Sequence, residues 1–218
     1  LIHQFKSGRH LQKIPGSFGF RDFLFCVVPG MIIAGLAGFA NGKVLQWLYY
    51  FAKELTDNGP RFQEMGEYGD GKIVTYIDAI TDAFLDEVME YCPDALILSG
   101  DLTLEGEKKS HQELAKKLEK VEDAGIPVLV IPGNHDINNR KAGKYKGTQR
   151  MPAEYTTPEE FREIYRNFGY DEALSEDKTS LSYVYELDDE TRILMLDTCQ
   201  YRPVAKVGGA ILSDTYDW

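Results

Sequence analysis

The hydrophobic pattern in the centre of the chain predicts two helices that alternate with two strands. Apolar residues recur at helical spacing from 77 to 91 and stop before Pro93, which predicts an amphipathic helix. The run ALILSGD at 95–101 is apolar up to a turn, as is typical of a strand buried on both faces. A second amphipathic helix is predicted at 105–125, and the apolar run at 128–131 is the next strand. This alternation predicts an α/β fold in which helices pack on a mostly parallel sheet.

The segments on either side of this core have weaker patterns. Residues 43–51 are rich in aromatic and branched side chains and predict a strand. The polar, glycine-containing stretch 53–72 predicts a long loop, and the polar stretch 137–157 predicts an excursion over the surface.

The last part of the chain returns to regular patterns. Thr157 as the cap and Pro158 in the first turn predict the start of a short helix. The run at 180–187 alternates, whereas the run at 192–198 is continuously apolar, so we predict a strand pair whose second member is fully buried. Residues 212–218 are expected to begin another helix.

The N-terminal part has a different composition. Residues 1–22 carry four basic side chains against one acid, and residues 23–40 then run for 18 positions without a charge. A basic flank before an apolar stretch resembles a secretory signal, with a membrane anchor or a buried helix as alternatives. We therefore expect a leader at 1–42 that exports the protein or associates with a membrane through 23–40, and an α/β domain at 43–218. The expected location is secreted or membrane-anchored, outside the cytoplasm.

The overall charge limits the classes of function. The net charge of −11 argues against a general nucleic-acid-binding surface, which would have to be basic. An acidic protein that handles phosphates usually supplies positive charge as metal ions. Three scattered cysteines are too few for a disulfide framework or a zinc knuckle, and we expect them to be buried apolar residues.

Candidate chemistry follows the two central strands. Because one helix joins them, their connection should be right-handed, and both should deliver their following turns to the same edge of the sheet. Asp101 follows the first strand and Asn134 follows the second, 33 positions later, which is the length of one βαβ unit. Their side chains offer hard oxygen ligands for a divalent cation. The sequence therefore predicts that both face one metal site.

The residues after Asn134 suggest acid–base chemistry. His135 would lie beside the ligand, and Asp136 could orient its ring and favour its protonated form. A protonated histidine beside a metal-bound phosphate ester can donate a proton to the leaving oxygen. For both residues the alternative is a polar turn with no catalytic role.

The tetrapeptides GDLT (100–103) and GNHD (133–136), each after a buried strand, resemble the calcineurin-like metallophosphoesterases. The resemblance implies the layered sheet of that family and hydrolysis of a phosphate monoester or diester. It implies two divalent metal ions (Mn, Fe or Zn), with Asp101 bridging them and Asn134 binding the second. His135 would be the proton donor or transition-state stabiliser, and Asp136 its orienting partner.

Two departures from the family pattern affect the expected activity. The family opens with an Asp-x-His pair at the end of its first strand, where this chain has Trp47-Leu48-Tyr49. It also ends with histidine motifs, whereas no histidine follows His135, so we expect those motifs to lie beyond Trp218. Either the site is degenerate or residues 1–49 are not the natural partner of the rest. We expect the 218-residue chain to have little or no activity, and a non-catalytic binding module is the alternative function.

The remaining histidines, His3, His10 and His111, are expected to have no role in the site. The first two lie in the basic leader, and His111 is predicted on an exposed helix face.

Overall fold

A computed structural model describes the backbone of residues 26–28, 31–34, 55–68, 76–199 and 211–218, and the side chains of 55–65, 76–199 and 211–218. The main sheet has four strands in the order β1 (Cys26–Val28), β2 (Met31–Ala34), β3 (Ala95–Leu98) and β4 (Val128–Val130). β1 pairs with β2 antiparallel, whereas β2, β3 and β4 pair in parallel.

The two central strands are as the sequence predicts. Every residue of β3 and of β4 is buried, because helices and loops cover both faces of this part of the sheet. Their parallel pairing, with Ile97 opposite Leu129, brings their carboxyl ends to one edge. The predicted α/β class and the βαβ core are therefore confirmed.

Three helices precede or join these strands: α1 (Pro60–Tyr68), α2 (Ile77–Tyr91) and α3 (Lys108–Asp123). The predicted helices at 77–91 and 105–125 are confirmed, and Leu114, Leu118 and Val121 form the buried stripe of α3. The prediction of a long loop over 53–72 is wrong, because α1 occupies part of it. Pro60 starts this helix. Among the described side chains of α1, that of Phe62 is buried, and its ring packs edge-on against the ring of Tyr145 with 5.8 Å between the centroids.

The predicted surface excursion contains a hairpin of β5 (Gly143–Lys146) and β6 (Gln149–Pro152). Its side chains alternate between buried and exposed along β5, and Tyr145 points into the core. The excursion is therefore partly core, although its composition is polar.

The C-terminal part consists of helix α4 (Pro158–Ile164), a single π turn (Arg166–Tyr170), and a small antiparallel sheet of β7 (Ser175–Glu176), β8 (Tyr183–Glu186) and β9 (Arg192–Met195), followed by α5 (Ser213–Asp217).

Local signals in this part are mostly confirmed. The Thr157 hydroxyl accepts from the Glu160 N–H at 3.2 Å, and the Glu160 carboxylate accepts from the Thr157 N–H at 3.0 Å, which forms a capping box. The predicted full burial of the second strand is wrong, because Arg192 and Leu194 of β9 are exposed. The Tyr183 hydroxyl donates to the carbonyl oxygen of Val130 at 3.1 Å and so connects the small sheet to β4.

The apolar N-terminal segment contributes β1 and β2, so its alternative interpretation as a buried helix is wrong for the described residues. No helix among the described residues is long and apolar enough to cross a membrane. The signal and anchor interpretations of residues 23–40 gain no support from the described strands. The predicted strand at 43–51, which includes Trp47-Leu48-Tyr49, lies outside the described residues.

Candidate metal and proton-transfer site

The turns that follow β3 and β4 pack backbone against backbone. A Cβ atom on Gly100 would lie 2.4 Å from the Gly133 nitrogen, and Gly100 has a left-handed φ of +93°. A Cβ atom on Gly133 would lie 2.2 Å from both the nitrogen and Oδ1 of Asp101. Real Cβ atoms do not approach so closely, so only glycine at both positions lets the turns meet. This contact explains why each motif begins with glycine.

Asp101 lies at this junction. Its residue is only 4% exposed, and its φ of 55° is in the left-handed region that Asp and Asn tolerate better than most residues. Its Oδ1 accepts a hydrogen bond from the N–H of His135 at 3.1 Å. The half-buried Asn134 precedes His135 in the same turn. The carboxylate therefore borders the turn that carries Asn134, at the sheet edge where the sequence predicts both.

Asp136 is fully buried and ties the two turns together. Its Oδ1 accepts from the N–H and the hydroxyl of Thr103 at 2.9 and 3.1 Å, and its Oδ2 accepts from the N–H of Gly133 at 2.8 Å. Burial, with the negative charge of Asp101 as the next contribution, raises the pKa of Asp136 to about 7. The sequence predicted that this carboxylate would contact the His135 ring, but its hydrogen bonds go to Thr103 and Gly133 instead. A catalytic role for Asp136 stays a prediction.

The ring of His135 is oriented by the loop that follows the first motif. Its Nδ1 lies 2.5 Å from the carbonyl oxygen of Leu104, and because a carbonyl can only accept, Nδ1 carries a proton. The Glu105 carboxylate lies 3.9 Å from the same nitrogen. Asn139 donates to Glu105 Oε2 at 2.5 Å and to the His135 carbonyl at 3.3 Å. Leu104 and Glu105 thus lie beside Nδ1 of His135, where the sequence predicted Asp136.

Glu105 is a site residue that the sequence analysis missed. Its position four residues after Asp101 places it in the charged run 105–125, which favours the interpretation of a solvated helix face. The helix begins only at Lys108, so Glu105 lies in the preceding loop and turns toward the motif.

His111 is the second residue that the sequence analysis misjudged. It is fully buried, not exposed, and its Nε2 lies 3.0 Å from the carbonyl oxygen of Asp136. Its position is explained by α3, whose first turns lie under the two motif turns.

A third segment reaches the site from the end of β9. Asp197 is 1% exposed, and its carboxylate accepts from the N–H groups of Cys199 at 2.7 Å and Leu181 at 3.2 Å. The Cys199 thiol donates to the carbonyl oxygen of Pro132 at 3.4 Å. Burial raises the pKa of this thiol, and the charges of Asp197, Asp136 and Asp101 add to the shift. The cysteine is therefore a neutral packing residue beneath an acidic site. Cys92, in contrast, is exposed, contrary to the prediction.

The residues at the contact between the two turns include side chains of the types that bind metal ions. Asp101 and Asn134 offer a carboxylate and an amide oxygen, which suit a hard divalent cation, and a cation would offset the buried charge shared by Asp101 and Asp136. Among the described side chains, no group of three or more His, Cys, Asp and Glu residues could hold a metal ion. The described residues therefore offer suitable ligand types and do not complete a metal site.

Glu107 supports the same loop and gives a prediction about pH. It is fully buried and accepts from the N–H groups of Glu105 at 3.1 Å and Gly143 at 3.3 Å. Burial raises its pKa from 4.5 to about 7, so the folded protein binds this proton more tightly than the unfolded chain does. Between pH 4.5 and pH 7 the free energy of unfolding therefore falls as pH rises, and above pH 7 this loss of stability is complete.

We expect Glu107→Gln to make this decrease smaller, because the amide does not ionise, whereas Asp136, whose pKa is also raised to about 7, still titrates. One pKa unit corresponds to about 1.4 kcal/mol, so the wild-type decrease should exceed that of the variant by about 3 kcal/mol. Urea unfolding of both proteins from pH 4.5 to pH 8 measures it. Parallel curves for wild type and variant would show that Glu107 is not the group that titrates.

The comparison with known families agrees with this geometry. The family model for the calcineurin-like phosphoesterases matches residues 56–200, which include both motif turns, α3 and the segment at Asp197. No curated protein matches the chain significantly. Since the family match extends over more than half of the sequence, the chain belongs to the calcineurin-like phosphoesterase family.

Proposed function

We propose that the chain carries the site of a metal-dependent phosphoesterase that hydrolyses a phosphate monoester or diester. The observation that supports this most is the contact between the turns after β3 and β4, where Asp101 accepts from the N–H of His135. Open α/β sheets bind their ligands at the carboxyl ends of their strands.

In this proposal each residue at the junction has a distinct role. Asp101 and Asn134 would hold metal through hard oxygen atoms. When bound, the two ions supply charge stabilisation at the phosphate and activation of a water molecule. Asp136 keeps the two turns in register through Thr103 and Gly133.

His135 donates a proton to the leaving oxygen. Because its Nδ1 donates to Leu104, the proton for transfer is on Nε2. The carboxylate of Glu105 lies 3.9 Å from Nδ1. The side chain of His135 is 21% exposed, so the ring is accessible to a substrate from the solvent side.

A non-catalytic binding module is the second candidate function. One observation favours it: no group of three or more His, Cys, Asp and Glu residues among the described side chains could hold a metal ion. The sequence adds the expectation that Trp47-Leu48-Tyr49 replaces the Asp-x-His pair of the family. An extracytoplasmic location and membrane association through residues 23–40 are further proposals from the sequence alone.

The number of bound metal ions and the rate of hydrolysis separate the two functions. We expect the 218-residue chain, supplied with Mn²⁺, to hydrolyse p-nitrophenyl phosphate and bis-p-nitrophenyl phosphate slowly or not at all. The reason is that its sequence has neither the Asp-x-His pair at 47–49 nor a histidine after His135. Rapid metal-dependent turnover would mean that those ligands are not required. Two ions per chain support the enzyme, whereas none or one, without hydrolysis, supports the binding module.

A further inference from the structure

His111 connects both motif turns to the helical layer. Its Nε2 lies 3.0 Å from the carbonyl oxygen of Asp136 and 3.3 Å from the hydroxyl of Thr103, and its Nδ1 lies 2.9 Å from the hydroxyl of Tyr165. Thr103 belongs to the turn after β3 and Asp136 to the turn after β4. One imidazole on α3 therefore contacts both turns and is itself held from α4.

The partners determine which ring nitrogen carries the proton. A backbone carbonyl can only accept, so Nε2–H donates to Asp136, and Nδ1 then accepts from the Tyr165 hydroxyl. Burial lowers the pKa of His111 to about 3, so the ring is neutral at physiological pH and keeps this single arrangement. Both ring nitrogens have partners, as a fully buried imidazole requires.

Aromatic packing fixes the plane of the ring. Phe161 and Tyr165 contact it edge-on, with centroid distances of 5.3 and 5.6 Å. Both residues are fully buried in or beside α4, and the capping box at Thr157 holds the start of that helix. The imidazole therefore has little freedom to move away from Asp136.

We propose that His111 is a positioning residue for the phosphoesterase site, acting through the backbone of Asp136 and the side chain of Thr103. By fixing the carbonyl of Asp136 it holds the end of the turn that carries Asn134 and His135. By contacting Thr103, whose hydroxyl donates to the Asp136 carboxylate, it keeps the two turns together. The proposal rests on the proposed function for its consequence, whereas the positioning itself can be measured without metal.

Two substitutions separate hydrogen bonding from packing. His111→Phe keeps an aromatic ring but removes both hydrogen bonds. His111→Gln loses the ring but can donate to Asp136 and accept from Tyr165. Leu118→Ala is the control, because Leu118 is a buried residue of the same helix, and its loss destabilises the protein by creating a cavity, without removing a hydrogen bond at the motif turns.

The first measurement is amide hydrogen exchange of the metal-free chain. The N–H groups of Thr103 and Gly133 donate to the Asp136 carboxylate, whereas those of Leu96 and Ile131 bond to carbonyls in the sheet region. We expect His111→Phe to speed exchange at the first pair about tenfold more than at the second pair. His111→Gln should restore most of the protection, and Leu118→Ala should affect both pairs alike.

The second measurement is the affinity for Mn²⁺ by isothermal titration. Loss of an outer residue that supports metal ligands typically weakens binding 10- to 100-fold, and we expect about that effect for His111→Phe and little for Leu118→Ala. If His111→Phe does not fold, Tyr165→Phe removes the hydroxyl that contacts Nδ1 at 2.9 Å and the His111 carbonyl at 3.4 Å, leaves the bond from Nε2, and should give the same pattern with a smaller factor.

The outcomes distinguish the two proposals. Equal acceleration at all four amides in His111→Phe, or in Tyr165→Phe if that is the variant measured, would overturn the positioning role. So would unchanged Mn²⁺ affinity in a chain whose wild type binds the ion. Selective acceleration in the variant, together with no Mn²⁺ binding by the wild type, would retain His111 as the residue that positions the turns and would reject the proposed function.

Discussion

Replacing Asp101 by Asn is expected to stabilise the metal-free protein and to remove its stabilisation by Mn²⁺. The charge of Asp101 contributes to the raised pKa of the buried Asp136, so the two carboxylates repel each other when no cation is present. Asn tolerates the left-handed backbone at this position and keeps an oxygen to accept from the N–H of His135. Relief of the repulsion should be worth about 1 kcal/mol, or roughly 2–4 °C in melting temperature for a chain of this size.

The metal-dependent part of this prediction is larger. A ligand at 100 times its Kd stabilises a protein by about 2.7 kcal/mol, so wild type should melt several degrees higher with Mn²⁺ and the variant should not. Asp177→Asn is the control, because Asp177 is buried and bonded to Thr179, Ser180 and Thr215. It should lose stability and keep the Mn²⁺ effect. A Mn²⁺ effect of full size in Asp101→Asn would exclude Asp101 as a ligand.

His135→Ala is expected to lower kcat by about 10²- to 10⁴-fold on a substrate with a poor leaving group, the usual contribution of general acid catalysis. The ring donates from Nδ1 to Leu104, so in the proposed role the proton that is transferred is on Nε2. The measurement requires a version of the chain that is supplied with the front Asp-x-His pair and the rear histidine motifs of the family. An alkyl phosphate and p-nitrophenyl phosphate are the two substrates to compare.

The leaving group provides the internal control. p-Nitrophenolate departs without a proton, so His135→Ala should lose much less rate on p-nitrophenyl phosphate than on the alkyl phosphate. The metal content of the variant should equal that of the parent protein. Equal losses on both substrates, or loss of metal as complete as in Asp101→Asn, would contradict the proton-donor role.

The βαβ core and its two turns could be predicted because several signals agree there. β3 and β4 are continuous apolar runs, each ends in a glycine-containing turn, and α3 has a clear apolar stripe. The right-handed crossover then requires the turns to share an edge. The close backbone contact between Gly100 and Gly133 shows that the two turns do meet at that edge.

The contacts within the site could not be predicted, because they depend on where short loops turn. GNHD places Asp136 beside His135 in sequence, but the turn sends its carboxylate toward Thr103 and leaves the His135 ring facing Leu104. His111 follows two lysines in a charged run and has the composition of an exposed face, yet the helix rotates it inward. For Asp136 the backbone direction of the turn decides the partner, and no periodicity records it. For His111 the signal is its spacing of three and seven residues to Leu114 and Leu118, which places it on the buried stripe of α3 despite its charged neighbours.

The weaker elements failed for a different reason. Among the described side chains of α1 only Phe62 is buried and Met65 is partly buried, and the hairpin of β5 and β6 lies in a polar stretch, so neither gives a clear hydrophobic period. Both are specified by contacts distant in sequence: the N–H of Gly147 donates to Asp57 at 2.8 Å, and the ring of Tyr145 packs on Phe62. Such tertiary support overrides local propensity.

The most direct test of the proposed site is an anomalous difference map from crystals of the 218-residue chain soaked with Zn²⁺ or Mn²⁺. The account predicts a peak at the junction of the turns after β3 and β4, about 2.0–2.2 Å from a carboxylate oxygen of Asp101 and from the side-chain oxygen of Asn134. His135 should lie beside the peak without coordinating it. Metal peaks elsewhere on the protein, with Asp101 and Asn134 uncoordinated in the soaked crystals, would contradict it.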